Sequence, residues 1–363
     1  MTFSLYTNSV SAHQLPLARE IAKRVGTANF RYVSRNEKLQ GGAQEVESTE
    51  LWVTDDTSEL ESCDVLLVGG LRPIDLMENR LKNGKTTLYM SERWFKPIPF
   101  CKVVGCELYL SGWLRLFVPA YWKMARRFAR LFAYSNYRFL PIGPWSLRDM
   151  KMVCWINGIK IPDGSVVPWG DFVEPSKKPP RMPMFGTGDP IIRILWAGRM
   201  LWWKHVETII RAVGYLNAHS RMRAALTIVG DGPEKARLRN FADMVNADNA
   251  DSGNLVTFIT PVPIEEVRDI MHKHDVYVLA SNWCEGWGAV VPEALEEGML
   301  VLGTYEAGAS AALLPDENLF HCGDWRTLAD KLANLSACKH ISLPKDYTPS
   351  GATERLLAAI TNG

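Results

Sequence analysis

The sequence predicts an α/β protein built on parallel sheets that are covered on both faces. Three observations predict it. Short runs rich in Val, Ile and Leu alternate with segments of helical length over residues 191–332, the runs are apolar throughout, and Gly or Pro punctuates many of the joins between them. Strands buried on both faces read as continuous apolar runs, and parallel neighbours need a crossover segment between them, usually a helix. With 363 residues, 47% of them hydrophobic, the chain can build two domains with separate cores.

Taken in order, an apolar first strand leads into Ser9, Val10, Ser11, Ala12, His13 and Gln14, and the amphipathic run 15–25 reads as the first helix. A strand over 86–90 runs into Ser91, Glu92 and Arg93. Residues 173–190 carry Pro175, Lys177, Lys178, Pro179, Pro180, Pro183, Gly186, Gly188 and Pro190, poor material for a helix or central strand and good material for a semi-rigid connection. The chain therefore divides into an amino-terminal domain (1–172), a linker (173–190), a carboxy-terminal domain (191–345) and a tail (346–363) with a short helix over 353–360. Within the second domain strands are expected at 191–196, 225–229, 255–259, 276–279 and 300–302. Helices are expected at 206–216, 233–245 and 263–272, and at a helix beginning close to Pro292.

Ligands on such sheets bind beyond the carboxyl ends of the strands, and three features fall there. Ala197, Gly198 and Arg199 follow the first strand of the second domain, with Lys204 at the start of the next helix; Gly230, Asp231, Gly232 and Pro233 follow the second; a loop containing Glu285 follows the fourth. A guanidinium and an ammonium placed together can neutralise a diphosphate, Arg through paired donors and Lys as a point charge. Pro292 suits a first helical position, so the amides from Ala289 and Val290 to Glu293 are expected to face outward, where the positive helix end favours phosphate oxygens. Gly286 and Gly288 let a backbone approach without a Cβ in the way. Glu285 and Glu293 can only accept hydrogen bonds, which sugar and ribose hydroxyls donate. Each feature has a plain structural explanation taken singly, as surface charge, turn or helix-end carboxylate; their joint placement suits a sugar nucleotide.

These motifs resemble a known family. Ala197, Gly198 and Arg199 with Lys204, then Val229 to Pro233, Asp275 to Ser281, and Glu285 to Gly288 through Glu293, Ala294 and Leu295 look like the motif series of family 4 glycosyltransferases of the GT-B fold. The resemblance is good over 191–332 and thinner upstream, where Val166, Val167, Pro168, Trp169 and Gly170 resemble the segment that ends the amino-terminal domain. It implies two Rossmann-like domains with parallel sheets facing a cleft, the final helix returning to the amino-terminal domain. By motif, Arg199 and Lys204 contact the donor diphosphate, Glu293 the ribose hydroxyls and Glu285 the transferred sugar. Gly230, Gly286, Trp287, Gly288, Ala289 and Val290 belong to the donor-binding set, and the loop at Thr260 and Val262 lines the base pocket. Such enzymes transfer a sugar with retention of anomeric configuration and without a bound metal, and this sequence has no Asp-x-Asp triplet. No cofactor beyond the nucleotide-diphosphate sugar is expected.

The sequence also departs from the family. Trp202 and Trp203 stand between Arg199 and Lys204, where smaller or polar residues are usual, and the histidine that many members place after an amino-domain strand is missing beyond Ser91. His13 is the substitute to consider: after the first strand and before the first helix, an imidazole could orient an acceptor hydroxyl or bond the donor sugar, or simply serve helix entry. Glu92 is a second candidate, on the acceptor side.

A net charge of +1 argues against a general nucleic-acid binder. Seven cysteines without Cys-x-x-Cys pairs fit a reduced compartment. The first residues lack the basic flank and apolar core of a signal peptide, and no apolar run is long enough to span a bilayer, so a cytoplasmic location is expected. Residues 108–148 contain no Asp or Glu but carry Arg115, Lys123, Arg126, Arg127, Arg130, Arg138 and Arg148 interleaved with aromatic residues. Such a stretch suits a peripheral position on an anionic membrane, here the inner face of the cell membrane. The expected function is transfer of a sugar to a lipid-linked saccharide in surface polysaccharide synthesis. A sugar-nucleotide epimerase of the same fold, a non-catalytic nucleotide-sugar binder, and a soluble transferase acting on protein or nucleic acid remain open.

Overall fold

In the computed structural model, residues 1–11, 13–40, 53–101, 108–180, 191–249 and 255–361 are described. The chain forms two compact units. The first comprises Met1–Phe100, Tyr109–Glu174 and Pro344–Gly363, and the second Cys101–Leu108 and Pro175–Leu343. The part of the expected linker that holds Pro183, Gly186, Gly188 and Pro190 lies outside the described residues, as does Ala12.

The first unit contains β1 (Phe3–Ser11), α1 (Leu15–Val25), β2 (Phe30–Gln40), β3 (Val53–Thr54), β4 (Val65–Gly69), α2 (Ile74–Lys82) and β5 (Thr86–Ser91). A short ribbon of β6 (Ile98–Cys101) and β7 (Leu108–Leu110) follows, then α3 (Pro119–Arg130), β8 (Tyr137–Pro141) and α4 (Pro144–Ile156). Its parallel sheet has the order β3-β2-β1-β4-β5-β8. Every residue of β4 and β8 is buried, as expected of strands covered on both faces. The core gathers Leu66, Val68, Tyr89, Phe128, Phe139 and Val153 from the sheet and from α3 and α4.

The second unit contains β9 (Ile191–Ala197), α5 (Val206–His219), β10 (Arg223–Val229), α6 (Lys235–Asp248), β11 (Val256–Ile259), α7 (Ile264–Met271) and β12 (Val276–Leu279). Then come α8 (Val290–Glu296), β13 (Leu300–Thr304), α9 (Gly308–Leu313), β14 (Leu319–Phe320) and α10 (Trp325–Ala333). The sheet order is β11-β10-β9-β12-β13-β14, again parallel. In each unit the first and fourth strands are neighbours and the order reverses between them, the topological switch point at which doubly wound sheets bind ligands.

The last helix, α11 (Pro349–Thr361), begins earlier than the pattern predicts and belongs to the first unit. It packs on α1, the Arg138 guanidinium donates to Ala359 O (3.0 Å), and Arg24 donates to Ser350 Oγ (3.1 Å). Among the described residues no helix is long and apolar enough to cross a membrane.

Candidate active site

The switch point of the second unit lies between β9 and β12, and the loops that leave these two strands carry most of the predicted donor residues. After β9 the chain passes through Gly198 and the exposed Arg199, then a short 3₁₀ turn, Trp202–Lys204. After β12 it passes through the buried Ser281 and Asn282 to Glu285. The loops are bonded together at three points. Asn282 N–H donates to Trp203 O (2.9 Å), the Lys204 ammonium donates to the Glu285 carboxylate, and the Asn282 amide donates to His205 Nε2 (3.1 Å). Ser281 Oγ donates to the same Glu285 oxygen (2.9 Å), so a loop carboxylate is held in one orientation by a cation and a hydroxyl.

His205 is the residue that sequence reasoning missed. It adopts φ 47° and ψ 42°, the left-handed region, which costs a non-glycine residue about 1–2 kcal/mol. That conformation ends the turn presenting Lys204 and starts α5. Because Nε2 accepts from Asn282, whose own Oδ1 accepts from Cys284 N–H (2.9 Å), the ring proton sits on Nδ1 and faces Glu207 Oε1 (3.3 Å). Burial pushes the Glu207 carboxyl up, but the His205 contact and the Arg237 guanidinium (3.1 Å) outweigh it and hold the group below the usual range. A left-handed histidine beside a cationic motif has no one-letter signature; the nearest signal was Glu207 two residues on.

The turn after β10 closes on the Arg199 loop from the other side. Met200 N–H donates to Asp231 O (2.7 Å), Glu234 N–H to Met200 O (3.1 Å), and Gly198 N–H to Val229 O (3.0 Å). A Cβ at Gly230 would lie 2.0 Å from Gly198 O, and one at Gly232 2.4 Å from Met200 O. Gly230, predicted as a donor-binding position, thus shapes the loop that carries Arg199. Thr260 and Val262 follow β11; Thr260 is exposed and Val262 half-buried.

One expectation for the Glu285 loop needs correction. The helix begins at Val290, so Pro292 is its third residue; Val291 N–H donates to Gly288 O (3.0 Å) and Glu293 N–H to Ala289 O (3.4 Å). The amides left without a helical partner are therefore those of Gly288, which is buried, and of Ala289 and Val290, and they meet no acceptor among the described residues. Proline is tolerated throughout a first turn because those amides lack helical partners, and this is why it marked the start only approximately. Trp287 is only 2% exposed, packed inside the unit, and its carbonyl accepts from Ala309 N–H (2.9 Å), so its indole supports the loop from below. Gly286 stands close under α9, where a Cβ on Gly308 would lie 2.3 Å from its carbonyl oxygen. Gly288 has φ +98°.

Glu285 and Glu293 share one neighbourhood. Burial pushes the Tyr277 phenol well above its ordinary range, its bond to Ala197 O (3.2 Å) offsets part of this, and the charges of Glu293 and Glu285 push it further. Both carboxylates thus act on one buried hydroxyl, which bonds the carbonyl of the last residue of β9, and Glu285 is itself bonded to the Lys204 ammonium. The arrangement offers two hydrogen-bond-accepting groups, a fixed cation, the exposed Arg199 cation and three amides without an acceptor among the described residues, all in the loops beyond the strand ends.

In the first unit, His13 is half-buried at the carboxyl end of β1, and its carbonyl accepts from Phe172 N–H (3.2 Å). Glu92 follows β5, exposed and paired with Lys96 (2.7 Å). The buried Asp149 accepts from Trp94 and Phe95 N–H (3.0 and 2.8 Å) and fixes the segment after Glu92, a role with no sequence signal.

A doubly wound pair of units with this strand-end site defines the GT-B fold of glycosyltransferases. Residues 187–352 match the family model of the glycosyl transferases group 1. The GtfA subunit of the UDP-N-acetylglucosamine–peptide N-acetylglucosaminyltransferase of Limosilactobacillus reuteri subsp. suis is 29% identical over 111 residues, 30% of this chain and 20% of that protein. The chain thus matches about a fifth of the length of that relative. Among solved structures, the lipopolysaccharide outer core galactosyltransferase WaaB is similar over 100% of this chain and 99% of its own at 13% identity and a TM-score of 0.65. HepE of Anabaena, solved with UDP, is similar over 100% and 98% at 12% identity and a TM-score of 0.60. At such identities the likeness is one of fold.

Proposed function

We propose that this protein is a retaining glycosyltransferase of the family 4 kind, moving a sugar from a nucleoside-diphosphate donor to an acceptor hydroxyl without a metal. The observation that carries the reading is the meeting of Lys204 and Glu285 at the switch point, with Arg199, Glu293 and the Gly288–Val290 amides on the same strand ends. Lys204 and Arg199 hold the diphosphate, Glu293 the ribose and Glu285 the transferred sugar. Thr260 and Val262 border the base. The acceptor oxygen attacks the anomeric carbon from the face the nucleotide leaves, its proton passes to the departing phosphate, and the charge growing on the diphosphate is met by preorganised cations and amides. Stabilising the leaving group is the main contribution, a reading supported by Lys204 being held by Glu285 before reaction.

His13 and Glu92 are proposed as acceptor-side residues of the first unit, and the acceptor as a saccharide carried on a lipid. The named neighbours support sugar-nucleotide chemistry: WaaB is a galactosyltransferase of the lipopolysaccharide outer core, and HepE was solved with UDP. The test is a panel of uridine, guanosine and thymidine diphosphate sugars, read by thermal stabilisation and slow donor hydrolysis. One donor class that both stabilises the protein and is hydrolysed supports a transferase. A released, altered nucleotide sugar formed without acceptor marks an epimerase, and stabilisation without turnover on any acceptor marks a binding protein.

A further inference from the structure

The donor site leaves unused a conspicuous surface of the first unit. Between the turn Gly112–Phe117, α3 and the end of α4 lies an open groove of about 740 Å³, walled by Trp113, Leu116, Phe117, Trp122, Met152 and Ile156 with Pro119 at its edge. Apart from two indole N–H groups and the weakly accepting Met152 sulfur, these side chains carry nothing that hydrogen bonds. The volume falls within the range of small-molecule sites. Around it Phe117 is 82% exposed and Trp155 76%, with Leu114, Val118, Met152 and Ile156 also exposed. Contiguous exposed apolar surface of this kind marks an interaction site.

The charge exposed on the two helices that wall the groove is of one sign. On α3, positions 119, 122, 123, 126 and 130 recur at helical spacing, so Pro119 and Trp122 of the groove continue into the exposed Lys123, Arg126 and Arg130. On α4, the exposed Lys151 adjoins Met152 and lies one turn from Trp155. Helix α3 has no carboxylate, and the one carboxylate of α4, Asp149, is fully buried. The basic stretch is sorted rather than uniformly outward. Arg127 turns to Asp75 (2.6 Å) and Glu78 (2.7 Å), Arg115 to Lys96 O (2.6 Å) and Arg138 to Ala359 O (3.0 Å). Lys123, Arg126, Arg130 and Lys151 make no ion pair among the described residues.

We propose that this groove docks on an anionic lipid leaflet and takes one hydrocarbon chain from it, with Lys123, Arg126 and Lys151 on the headgroup phosphates. Apolar walls meet the chain and the cations meet the phosphates at one interface. Beyond a general attraction of the basic stretch to membranes, this assigns a discrete chain slot and extends the surface onto α4. It deepens the proposal of a lipid-carried acceptor and is independent of the donor residues.

The test uses the full chain with vesicles of mixed phosphatidylglycerol and phosphatidylcholine whose acyl chains are brominated, and with pure phosphatidylcholine vesicles. Flotation reports docking and quenching of indole fluorescence reports chain contact. The protein is expected to float with the anionic vesicles and to be quenched by them, and to bind neutral vesicles at least roughly tenfold more weakly. Lys123→Glu with Arg126→Glu should abolish flotation, and Met152→Glu with Ile156→Glu should abolish quenching. Stabilisation by nucleotide should be unchanged in every variant, which shows that each is folded and keeps a failed donor assignment separate from a failed docking surface. Equal binding to neutral vesicles, flotation without quenching, or a dimer in light scattering that Met152→Glu dissociates would overturn the proposal, the last by giving the groove to a second copy of the chain.

Discussion

The Lys204 ammonium is bonded to the Glu285 carboxylate across the switch point between β9 and β12. Both side chains are mostly buried, at 17% and 13% exposure, so the pair is a fixed feature of the site rather than a transient surface contact. An ammonium has three donors, and one spent on Glu285 leaves others for phosphate oxygens. The carboxylate thereby aims the cation, and the cation aims the carboxylate.

If that cation and Arg199 stabilise the departing diphosphate, their effect belongs to turnover. Lys204→Ala and Arg199→Ala should each lower kcat by ~10²–10³-fold, the range seen when one preorganised charge-stabilising donor is removed. Steady-state kinetics at saturating donor decide it. Unchanged turnover in either variant removes that residue from the mechanism.

Gly230 tests whether the turn after β10 shapes the Arg199 loop. It combines φ +136° with a Cβ position 2.0 Å from Gly198 O, whereas Gly323 has φ +82° and open space around its Cβ. Gly323→Ala should cost about 1–2 kcal/mol of stability through backbone conformation alone. Gly230→Ala adds a backbone clash and should cost ~2–5 kcal/mol and weaken donor binding as well. Denaturant unfolding of both variants measures the difference; equal losses would show that the close approach of the two loops carries no energy.

His205 separates geometry from hydrogen bonding. Asparagine tolerates the left-handed backbone but does not reproduce both the Glu207 and the Asn282 contacts. His205→Asn should therefore fold, lose about 1–3 kcal/mol from the disturbed Glu207 environment, and raise the donor KM more than it lowers kcat. A variant with unaltered KM would confine His205 to stability.

Stability should also respond to pH through His274, remote from the donor loops. Burial lowers its pKa below the ordinary value, with Ile270 O and Thr227 Oγ1 as its ring partners (2.7 and 2.8 Å). A base with a depressed folded pKa takes up fewer protons folded than unfolded just below the ordinary histidine pKa, about 6.5, so stability falls as pH drops through that window and is level above it. Calorimetric melting of the native protein and of His274→Gln should show the slope in the first and a flatter profile in the second. Parallel profiles would exclude this histidine as the source.

Much of the carboxy-terminal architecture was legible from the chain, because uninterrupted runs such as Val276 to Leu279 admit few readings other than a buried parallel strand. The placing of Arg199, Lys204 and Glu285 at strand ends followed from the same alternation. What could not be read is tertiary. No local pattern encodes the Lys204 to Glu285 bond, made between residues 81 apart in sequence, or the left-handed turn at His205. The start of α8 was misjudged because proline fits any of the first helical positions. In the basic stretch, composition gave the charge but not which cations the fold itself uses.

If the second unit grips a nucleoside diphosphate between Arg199, Lys204 and the Glu293 carboxylate, nucleotide affinity must depend on those side chains. Calorimetric titration of uridine, guanosine and thymidine diphosphates into the native chain, Arg199→Ala and Glu293→Gln measures it directly. One nucleotide should bind the native protein, Arg199→Ala should weaken it at least about tenfold through loss of a charge-assisted diphosphate contact, and Glu293→Gln should weaken the ribonucleotide more than its 2′,3′-dideoxy analogue. Equal affinity of all three proteins for every nucleotide, or no binding by the native chain, would contradict the account.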